Sequence, residues 1–499
     1  MIWLLLAALA LWQAARWLRL GSFTHAPTAP PPKTSSSLSR RCAVMAAAHP
    51  GDSGVQMLED GPESLAVRVA LLREATQQID LQYYIWREDA AGLLLFKELA
   101  AAAARGVRVR LLLDDFGTQR IDEELSALAA QPGISIRLFN PSRLRWPRFP
   151  NYLADFPRLN RRMHNKLLLV DNAAAVLGGR NIGDEYFHAA HKQLQADLDL
   201  LATGPIIAAI AEDFEAYWAC PSAWPLEKIV RPRAHTPTIP KPDLIYQEDL
   251  PPGSIKALFD AEDDFQWGEV QLFSDNPAKG MGAVPDSGMM GWQLLRALSP
   301  IQRSLVLVSA YFVPLPRGVA ALSRLAAAGV TVDIVTNSLK TNNVIPVHAG
   351  YAASRVPLLR AGVHIWEMRP PLEGAPLLPR RRRWWQGGRL LQSHASGLHG
   401  KALVADSTHL FIGSMNFDPR SWWLNTEMGL LITHPELAAK LETTLRTQIL
   451  DRAWRLSQQA GRLAWDGNGA DVSHKEPETS AGRRLAAGLL ALLPIKQML

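Results

Sequence analysis

A duplicated pattern of chemically capable residues constrains the fold of this chain more than any other feature. In each copy a Lys follows a His by two positions, an Asp by seven, a glycine by fourteen and an Asn by seventeen. The copies are His164, Lys166, Asp171, Gly178, Gly179 and Asn181, and His399, Lys401, Asp406, Gly413, Ser414 and Asn416. One His-x-Lys alone is typical of a half-exposed strand, whereas a matched pair indicates duplicated structural units.

The sequence around each copy repeats as well. β-prone runs at 79–86 and 305–314 are each followed by a helix, a glycine turn and a strand, at 97–115 and 322–338. Short strands at 134–139 and 363–368 then precede the two His-x-Lys segments. Alternating strands and helices predict an α/β fold of two pseudo-symmetric lobes, each with a mixed, largely parallel sheet flanked by helices. Two unrelated α/β domains are the alternative.

The repeated residues predict one shared site between the lobes. Both His-x-Lys segments are expected in strands, where the His and the Lys would point to the same face. The next apolar strand ends in GGRN or GSMN, where small residues allow close approach of a ligand and the Asn amide can bind an oxyanion. If the lobes meet about a pseudo-twofold axis, one pocket holds two imidazoles, two ammonium groups and two amides, which suits a phosphodiester.

Those groups favour nucleophilic phosphoryl chemistry. Positive and hydrogen-bond-donating partners stabilise the charge of a pentacoordinate transition state. One neutral imidazole can attack phosphorus while the other, protonated, donates to the leaving alcohol and then activates the incoming water or alcohol. The chemistry requires no metal, and the sequence offers no metal cage and no cofactor motif.

A nucleophilic His must be held in one tautomer, so a carboxylate is expected behind each imidazole. After each Asn the chain returns to a strand that opens with Asp197 or Glu427. From spacing alone these residues could equally be solvated carboxylates at a strand edge.

Composition sets broad limits. The 499 residues are enough for three domains or two larger ones, and the net charge of +6 suits an anionic partner, whether lipid headgroup or nucleic acid. Cys42 and Cys220 are the two cysteines, so the sequence contains neither a disulfide framework nor a Cys-based metal site.

Both termini carry features typical of membrane contact. Residues 1–20 hold an apolar run followed by basic residues and predict an N-terminal membrane anchor; a signal peptide and an interfacial helix are the alternatives. Residues 481–499 predict a C-terminal amphipathic segment, or else a helix packed on the second lobe. The run RRRRWWQGG at 380–388 suits anionic headgroups and the bilayer interface, but also an exposed basic loop.

The predicted organisation runs through seven segments. They are an anchor at 1–20, a Pro/Ser-rich linker at 21–45, a first lobe at 46–225, a connecting segment at 226–265, a second lobe at 266–460, a polar linker at 461–480 and the amphipathic segment at 481–499.

The two H-x-K-x4-D segments, each followed by the G-G/S-x-N strand, resemble the paired HKD motifs of the phospholipase D superfamily over residues 60–450. This resemblance implies two lobes with one active site and a covalent phosphohistidine. His164 is then the nucleophile and His399 the general acid and base, with Lys166, Lys401, Asp171 and Asp406 completing the catalytic set. It also implies Glu427 behind His164 and Asp197 behind His399, while Asp171 and Asp406 organise the site.

Finer strings resemble bacterial cardiolipin synthases of the C-type branch. They are SAYFVP at 309–314, GSMNFDPRSWWLNTE at 413–427 and GGRNIGDEYF at 178–187. The implied reaction makes cardiolipin from phosphatidylglycerol, with phosphatidylethanolamine as donor. A single short apolar segment departs from the two-span arrangement typical of the best-known cardiolipin synthases and leaves the donor open.

The resemblance implies phospholipid substrates at the bacterial inner (cell) membrane. The basic residues after the apolar run place the catalytic body on the cytoplasmic side, and the predicted anchor argues against a nucleic-acid partner. A requirement for a partner protein is unknown. Phe417, Trp422 and Trp423 could line an acyl path or pack in the core. A hydrolase that releases phosphatidic acid, or a nuclease, is the alternative function because water uses the same His machinery.

Overall fold

The structure is a computed structural model, and it describes residues 12–25, 35–118, 120–187, 197–231, 265–370, 397–467 and 472–493. The strands are β1 Ser53–Leu58, β2 Gln78–Ile85, β3 Arg108–Gly117, β4 Ile134–Phe139, β5 Leu167–Val170, β6 Ala174–Gly178, β7 Asp199–Thr203, β8 Ala223–Pro225, β9 Gln266–Ser274, β10 Ser304–Ser309, β11 Thr331–Asn337, β12 His364–Met368, β13 Lys401–Ala405, β14 His409–Gly413, β15 Met428–Thr433, β16 Ala453–Gln459, β17 Arg462–Asp466 and β18 Val472–Ser473.

Helices cover both faces of the sheets. They are α1 Ser37–Ala47, α2 Gly61–Glu74, α3 Ala90–Ala104, α4 Asp122–Ala129, α5 Phe149–Leu159, α6 Asp184–Phe187, α7 Ile206–Trp218, α8 Leu226–Ile229, α9 Met290–Ala297, α10 Pro316–Ala327, α11 Ile345–Ala352, α12 Arg355–Arg360, α13 Pro419–Trp423, α14 Pro435–Arg452 and α15 Ala481–Ala491. Short 3₁₀ helices lie at Pro277–Met281 and Asp286–Gly288, and residues 12–18 are also helical.

The two lobes repeat one strand order. The first sheet runs β1, β7, β6, β5, β2, β3, β4, β8, and the second runs β9, β15, β14, β13, β10, β11, β12, β16 and continues into β17 and β18. Each of the first eight strands therefore has a counterpart in the second sheet, as the duplicated sequence predicts. The α/β fold of two related lobes is confirmed.

Fewer strands pair in parallel than the sequence predicted. Only β2, β3 and β4, and their counterparts β10, β11 and β12, pair in parallel in the described part of the chain. The crossovers between them contain α3 and α4 in the first lobe and α10 to α12 in the second. The His-x-Lys strand and the next strand form a tight hairpin in each lobe, and that connection imposes antiparallel pairing.

One strand joins the two sheets. The first residues of β9 pair with β1, from Gln266 to Gly268, and its later residues pair with β15, from Glu269 to Ser274. A hydrophobic cluster also spans the lobes, with Leu167, Leu177 and Leu200 from one and Val404 and Ile412 from the other. The lobes are therefore fixed to each other by both backbone pairing and a shared core.

The His-x-Lys segments differ from the strands that were expected. β5 begins at Leu167, one residue after Lys166, and β13 begins at Lys401, so both histidines precede their strands. β10 likewise ends at Ser309 rather than near residue 314. There the chain leaves the sheet because Val313 N donates to Phe417 O at 2.8 Å, which draws it toward the loop after the second motif.

Two segments predicted as linkers contain regular structure. Helix α1 lies within and just beyond the segment 21–45, and its Leu38, Cys42 and Met45 are buried in the core of the first lobe. Strands β17 and β18 lie within 461–480 and extend the second sheet. In both places apolar side chains alternate with polar ones at helix or strand spacing, a signal that the Pro, Ser and Gly content obscured.

Most of the predicted connecting segment and the RRRRWWQGG run at 380–388 lie outside the described residues, as do residues 1–11 of the predicted anchor. Within the described ranges, no helix has both the length and the apolar character required to cross a bilayer.

Candidate active site

The site lies where the segment that carries His164 meets the segment that ends at Glu427. His164 N donates to Thr426 O, and Thr426 N donates to Arg162 O, both at 2.9 Å. His164 Nδ1 lies 2.8 Å from Glu427 Oε2. Backbone hydrogen bonds between the lobes therefore set the register that brings this imidazole and this carboxylate together.

The second histidine has the reciprocal arrangement. His399 Nδ1 hydrogen-bonds Oδ2 of Asp197, which belongs to the first lobe. Asp197 and Glu427 are both buried, whereas the His399 side chain is 26 % exposed and that of His164 is 9 % exposed. Each histidine thus presents its Nε2 edge to the cleft while a carboxylate from the other lobe holds Nδ1, and His399 is the more accessible of the two.

Both lysines are buried beside their histidines. Lys166 Nζ donates to His164 O at 2.5 Å, and Lys401 Nζ donates to His399 O and lies 3.0 Å from His399 Nδ1. Burial lowers the pKa of both ammonium groups, of Lys166 the more strongly. Buried ammonium groups without a full counter-charge favour an anionic guest.

The protonation of the histidines follows from burial and positive neighbours. Burial, then the charges of Lys166 and Lys401, hold the pKa of His164 well below its ordinary value. Burial and Lys401 also lower the pKa of His399, but Asp197 opposes that effect. Because the charges of His399 and Lys401 help to lower the pKa of His164, the His-x-Lys pairs of both lobes share one electrostatic environment.

The surroundings shift the pKa values of the two carboxylates in opposite directions. Burial would raise the pKa of Asp197, but His399 and Lys401 hold it below its usual range. Burial raises the pKa of Glu427, an effect that Lys166 and the Ser414 hydroxyl oppose. Ser414 Oγ donates to Glu427 Oε2 at 2.5 Å and accepts from Met428 N at 3.0 Å.

Gly179 occupies the position of Ser414 in the first lobe. A Cβ atom at Gly179 would lie 1.9 Å from Asp197 Oδ1, so no side chain fits between this residue and the carboxylate. Small residues at this point were expected to let a ligand approach the backbone closely. At Gly179 the group that approaches closely is the carboxylate of Asp197, which belongs to the protein itself. The shorter Asp pairs with Gly179, and the longer Glu pairs with Ser414.

The two Asn side chains of the motifs bind the backbone at the end of β2 and just beyond the end of β10. Asn181 Oδ1 accepts from Ile85 N at 3.1 Å, and Asn416 Oδ1 accepts from Tyr311 N at 3.4 Å. Both residues are buried. Because each amide oxygen accepts from the backbone, the amide nitrogen is the end of each side chain that can donate to an oxyanion.

Asp171 and Asp406 lie at the far end of the His-x-Lys strands, roughly 20 Å along the chain from the histidines at about 3.3 Å per residue. Asp171 accepts from the backbone nitrogens of Thr76, Gln77 and Gln78, and Asp406 accepts from those of residues 302–304. Both carboxylates are therefore engaged by backbone donors at the end of the strand away from the histidines, and their place in the catalytic set stays a prediction. They fasten the β5–β6 and β13–β14 hairpins to the start of β2 and β10, which agrees with an organising role.

Asp114 and Asn337, at equivalent positions of β3 and β11, are positioning residues that the motif spacing missed. Asp114 Oδ2 accepts from Met163 N at 2.8 Å, and Asn337 Oδ1 accepts from Leu398 N at 2.9 Å. Met163 and Leu398 immediately precede the two histidines. A polar residue at the end of an otherwise apolar strand, in LLLDDF and DIVTNS, is the sequence signal that could have identified them.

Two tyrosines that were not predicted pack against the imidazoles. The Tyr84 ring meets the His164 ring edge-on with centroids 4.9 Å apart, and Tyr186 meets His399 at 5.3 Å. Burial raises the pKa of Tyr84 to about 12, so its hydroxyl stays protonated. The rings limit the rotation of the histidines about their side-chain bonds.

The aromatic residues after the second motif pack among themselves. Phe417 contacts Phe312 at a centroid distance of 5.5 Å and Trp422 at 5.8 Å, and Trp422 contacts Trp292 at 5.0 Å. Phe417 also packs against the core of the second lobe. These contacts favour core packing over an acyl path.

Two sheet lobes with reciprocal His and carboxylate pairs in one cleft define a protein of the phospholipase D-like class. The family profile described as "Cardiolipin synthase, PLD-like domain" matches residues 69–218 and 294–449, one match in each lobe.

Known relatives point to the same class. The chain is 38 % identical to "Cardiolipin synthase C" of Escherichia coli strain K12 over 490 residues, which cover 94 % of this chain and all of that protein. It is 25 % identical to "Cardiolipin synthase B" of the same strain, over 76 % of each chain. Among solved structures, phosphatidylserine synthase of Haemophilus influenzae Rd KW20 shares the fold with a TM-score of 0.53 and 16 % identity, over 92 % of this chain and all of that one.

The chain therefore belongs to the cardiolipin synthase family of phospholipase D-like proteins, and it is a phosphatidyltransferase of the phospholipase D superfamily.

Proposed function

We propose that this protein makes cardiolipin by moving a phosphatidyl group from phosphatidylethanolamine to phosphatidylglycerol through a phosphohistidine on His164. The observation that carries the proposal is the reciprocal pairing, in which each Nδ1 is held by a carboxylate of the other lobe. With Nδ1–H donating to the carboxylate, the Nε2 lone pair is free for attack or proton transfer.

The surroundings of the two histidines support His164 as the nucleophile. The pKa of His164 is held further below its ordinary value, and its side chain is the more buried. A neutral imidazole is the form that can attack phosphorus. His399 has the support of Asp197 and is more accessible, which suits a group that must take and release protons.

In the first half of the reaction, His164 Nε2 forms a bond to phosphorus and the bond from phosphorus to the ethanolamine oxygen breaks. Protonated His399 gives its proton to that oxygen, so ethanolamine leaves as a neutral alcohol at the reacting end. Lys166, Lys401 and the amides of Asn181 and Asn416 offset the charge on the equatorial oxygens.

In the second half, His399, now neutral, accepts the proton of a phosphatidylglycerol hydroxyl. The hydroxyl oxygen bonds to phosphorus as the bond to His164 Nε2 breaks, which yields cardiolipin and restores both histidines. Glu427 stabilises the positive charge that His164 carries while it is bonded to phosphorus.

Substrate identity draws support from relatives. A relative that matches 94 % of this chain bears the name cardiolipin synthase C, which describes phospholipid synthesis. The C-type strings at 178–187, 309–314 and 413–427 favour phosphatidylethanolamine as the donor.

The proposal includes a location. Residues 1–20 anchor the chain in the bacterial inner membrane, and the basic residues after the apolar run hold the body on the cytoplasmic side. The lobes span 46–225 and 266–460, with α1 added to the first and β17 and β18 added to the second.

Lipid mass spectrometry of a bacterial host that lacks its own cardiolipin synthases tests the reaction. The wild type is expected to restore cardiolipin and His164→Ala to abolish it, while His474→Ala, a change at an exposed histidine, leaves the yield unchanged. Accumulation of phosphatidic acid in place of cardiolipin would establish a hydrolase. Full activity of His164→Ala would refute the nucleophile.

The donor is tested with the purified full chain in vesicles that contain acyl-deuterated phosphatidylethanolamine and unlabelled phosphatidylglycerol. Cardiolipin with one deuterated and one unlabelled half is the expected product, together with free ethanolamine. Unlabelled cardiolipin with release of glycerol would instead make phosphatidylglycerol both donor and acceptor.

A further inference from the structure

Helix α5 carries an apolar face that no described part of the chain covers. Phe149 and Leu153 lie one turn apart and are 68 % and 74 % exposed. Phe156, which is 44 % exposed, follows a kink of the helix at Asp155. Trp146, just before the helix, is 87 % exposed. The opposite side of α5 is anchored by buried Asn151, Ala154 and Arg158. Such an isolated apolar cluster on a firmly held helix marks a contact surface rather than scattered exposed residues.

The same surface adjoins the N-terminal segment. Arg19 Nε donates to Ala154 O of α5 at 2.7 Å. Arg143 donates to Trp17 O at 2.8 Å, and its guanidinium lies 5.1 Å from the Trp17 ring centroid. The helical residues 12–18, which close the apolar run of the predicted anchor, therefore leave the body of the protein beside α5. Exposed arginines and tryptophans in one place are typical of the bilayer interface.

An aromatic path leads from this surface to the nucleophile. Arg145 and Arg148, on either side of Trp146, bind Asp115, and the next residue is the exposed Phe116. The Phe116 ring stacks on Tyr84 at 6.4 Å, and Tyr84 contacts His164. The apolar surface thus borders the cleft mouth on the His164 side.

The second lobe has its own apolar helix at the corresponding place. Asn337, the last residue of β11, is the counterpart of Asp114 in β3. Leu339 lies two residues after Asn337, just as Phe116 lies two residues after Asp114. Helix α15 packs on Leu339 through Ala487 and Leu490, and Arg483 donates to Leu339 O. It leaves a second apolar group exposed, at Leu485, Leu489, Leu492 and Leu493.

We propose that the face around the cleft mouth rests on a phospholipid bilayer, with α5 of the first lobe and α15 of the second inserted side by side into the interface. The occupant is a bilayer because both helices flank one cleft, both carry flanking arginines, and α5 contacts the segment that directly follows the apolar run of the sequence, through the bond from Arg19 to Ala154 O. The geometry delivers a phosphodiester to His164 along the Phe116–Tyr84 path while the acyl chains remain in the membrane. The delivery of a phosphodiester to His164 by this face rests on the proposed function, whereas the docking of the face on a bilayer does not.

Site-specific fluorescence tests this orientation with the full chain in vesicles of phosphatidylethanolamine and phosphatidylglycerol. Leu153→Cys and Leu489→Cys are each labelled with an NBD probe, and Val44→Cys, at an exposed residue of α1, is the matched control. The native Cys42 and Cys220 are buried, and burial raises both thiol pKa values to about 11, so the introduced thiol reacts first.

Lipids with a nitroxide on the acyl chain should quench the probes at 153 and 489 several-fold more than the probe at 44. Equal quenching at all three positions, or quenching at only one of the two helices, would overturn the orientation. An unquenched probe at 153 with the emission of an apolar environment would show a second copy of the chain or another protein on α5, and would overturn it too. The readout is independent of chemistry: quenching in inactive samples refutes only the proposed function, and cardiolipin synthesis without quenching refutes only the docking.

A functional arm uses the double variant Phe149→Glu and Leu153→Glu, which leaves the cleft residues in place. With vesicles its transfer rate should fall by about tenfold or more, because two side chains lose their apolar contact with the interface. With short-chain lipids below their micelle concentration its rate should match the wild type. Equal loss on both substrates would mean that the change damages the fold or the site, and the docking role of α5 would be refuted.

Discussion

His164 Nδ1 and Glu427 Oε2 are 2.8 Å apart, although the two residues are separated by 263 positions and belong to different lobes. The contact depends on the adjacent backbone bond between His164 N and Thr426 O, so the pairing and the lobe interface form together. Asp197 and His399 repeat the arrangement in the opposite direction. Neither lobe contains a complete site alone.

Removal of either carboxylate charge should impair catalysis without loss of the fold. Glu427→Gln keeps the size of the side chain but no longer stabilises a charged His164, so the transfer rate should fall by about 10²- to 10⁴-fold. The loss of transfer rate caused by Asp197→Asn should lie within the same range. Transfer in lipid vesicles measures both, with Glu436→Gln, at an exposed position, as the control. A loss of less than tenfold in both would contradict the tautomer-holding role.

The pH dependence of kcat/KM should place the optimum below pH 6.5, the ordinary pKa of histidine. The active form needs His164 neutral and His399 protonated, and both pKa values are lowered, that of His164 further. Activity therefore falls as rising pH removes the proton of the histidine pair. Because Asp197 raises the pKa of His399, Asp197→Asn should move this alkaline limb to lower pH. A limb that stays in place or moves upward would exclude His399 as the acid.

Alanine at the two equivalent motif positions should have unequal effects. Ser414→Ala removes one hydrogen bond to Glu427 and should lower the rate by about ten- to a hundredfold. Gly179→Ala forces a methyl group against Asp197 Oδ1, 1.9 Å away, and should cost at least about 10³-fold. Gly482→Ala, where a Cβ meets nothing within 4 Å, is the control. Equal effects of Ser414→Ala and Gly179→Ala on steady-state transfer would refute the steric role of Gly179.

Exchange of Asp114 and Asn337 for each other's residue type should destabilise the protein. Asn337→Asp places a buried carboxylate against the carbonyl oxygens of Ala310 and Leu398, to which the amide now donates. Asp114→Asn cannot accept from Phe116 N, Met163 N and Arg162 together. Each change should cost about 3 kcal/mol of unfolding free energy. Thermal unfolding measures the cost, and Asp286→Asn, at an exposed position, should leave the midpoint unchanged.

Local elements were predictable wherever a segment has one dominant period. Strands β2, β4 and β12 and helices α3 and α10 lie close to their predicted positions because apolar side chains recur at strand or helix spacing. The ends of β10 and the starts of β5 and β13 were not predictable. At those points hydrogen bonds to distant segments, such as Val313 N to Phe417 O, replace the sheet pairing that local sequence favours.

The chemical groups of the site were predictable from the duplicated motif, but their roles depended on contacts. Spacing grouped Asp171 with His164 in one motif, and the structure shows that its carboxylate binds the backbone at the start of β2. Tyr84 and Asp114 belong to no motif, and Tyr186 lies in the GGRNIGDEYF string without a predicted role. Tyr84 and Tyr186 contact the histidines, and Asp114 binds the residue before His164, because β2, α6 and β3 end at the cleft.

The sequence by itself determined that two related α/β units exist and that each brings a His, a Lys, an Asn and a carboxylate to the end of its strands. Periodicity and repetition are local properties, and they are sufficient for this. The family resemblance implied the cross-lobe pairs and an organising role for Asp171 and Asp406. Only the tertiary structure shows the contacts that form those pairs, the backbone donors that bind the two Asp residues, and the exposed apolar side chains of α5 and α15. Those outcomes depend on how the two sheets pack through β9 and their shared core, a sum of many long-range contacts that no single segment of the chain encodes.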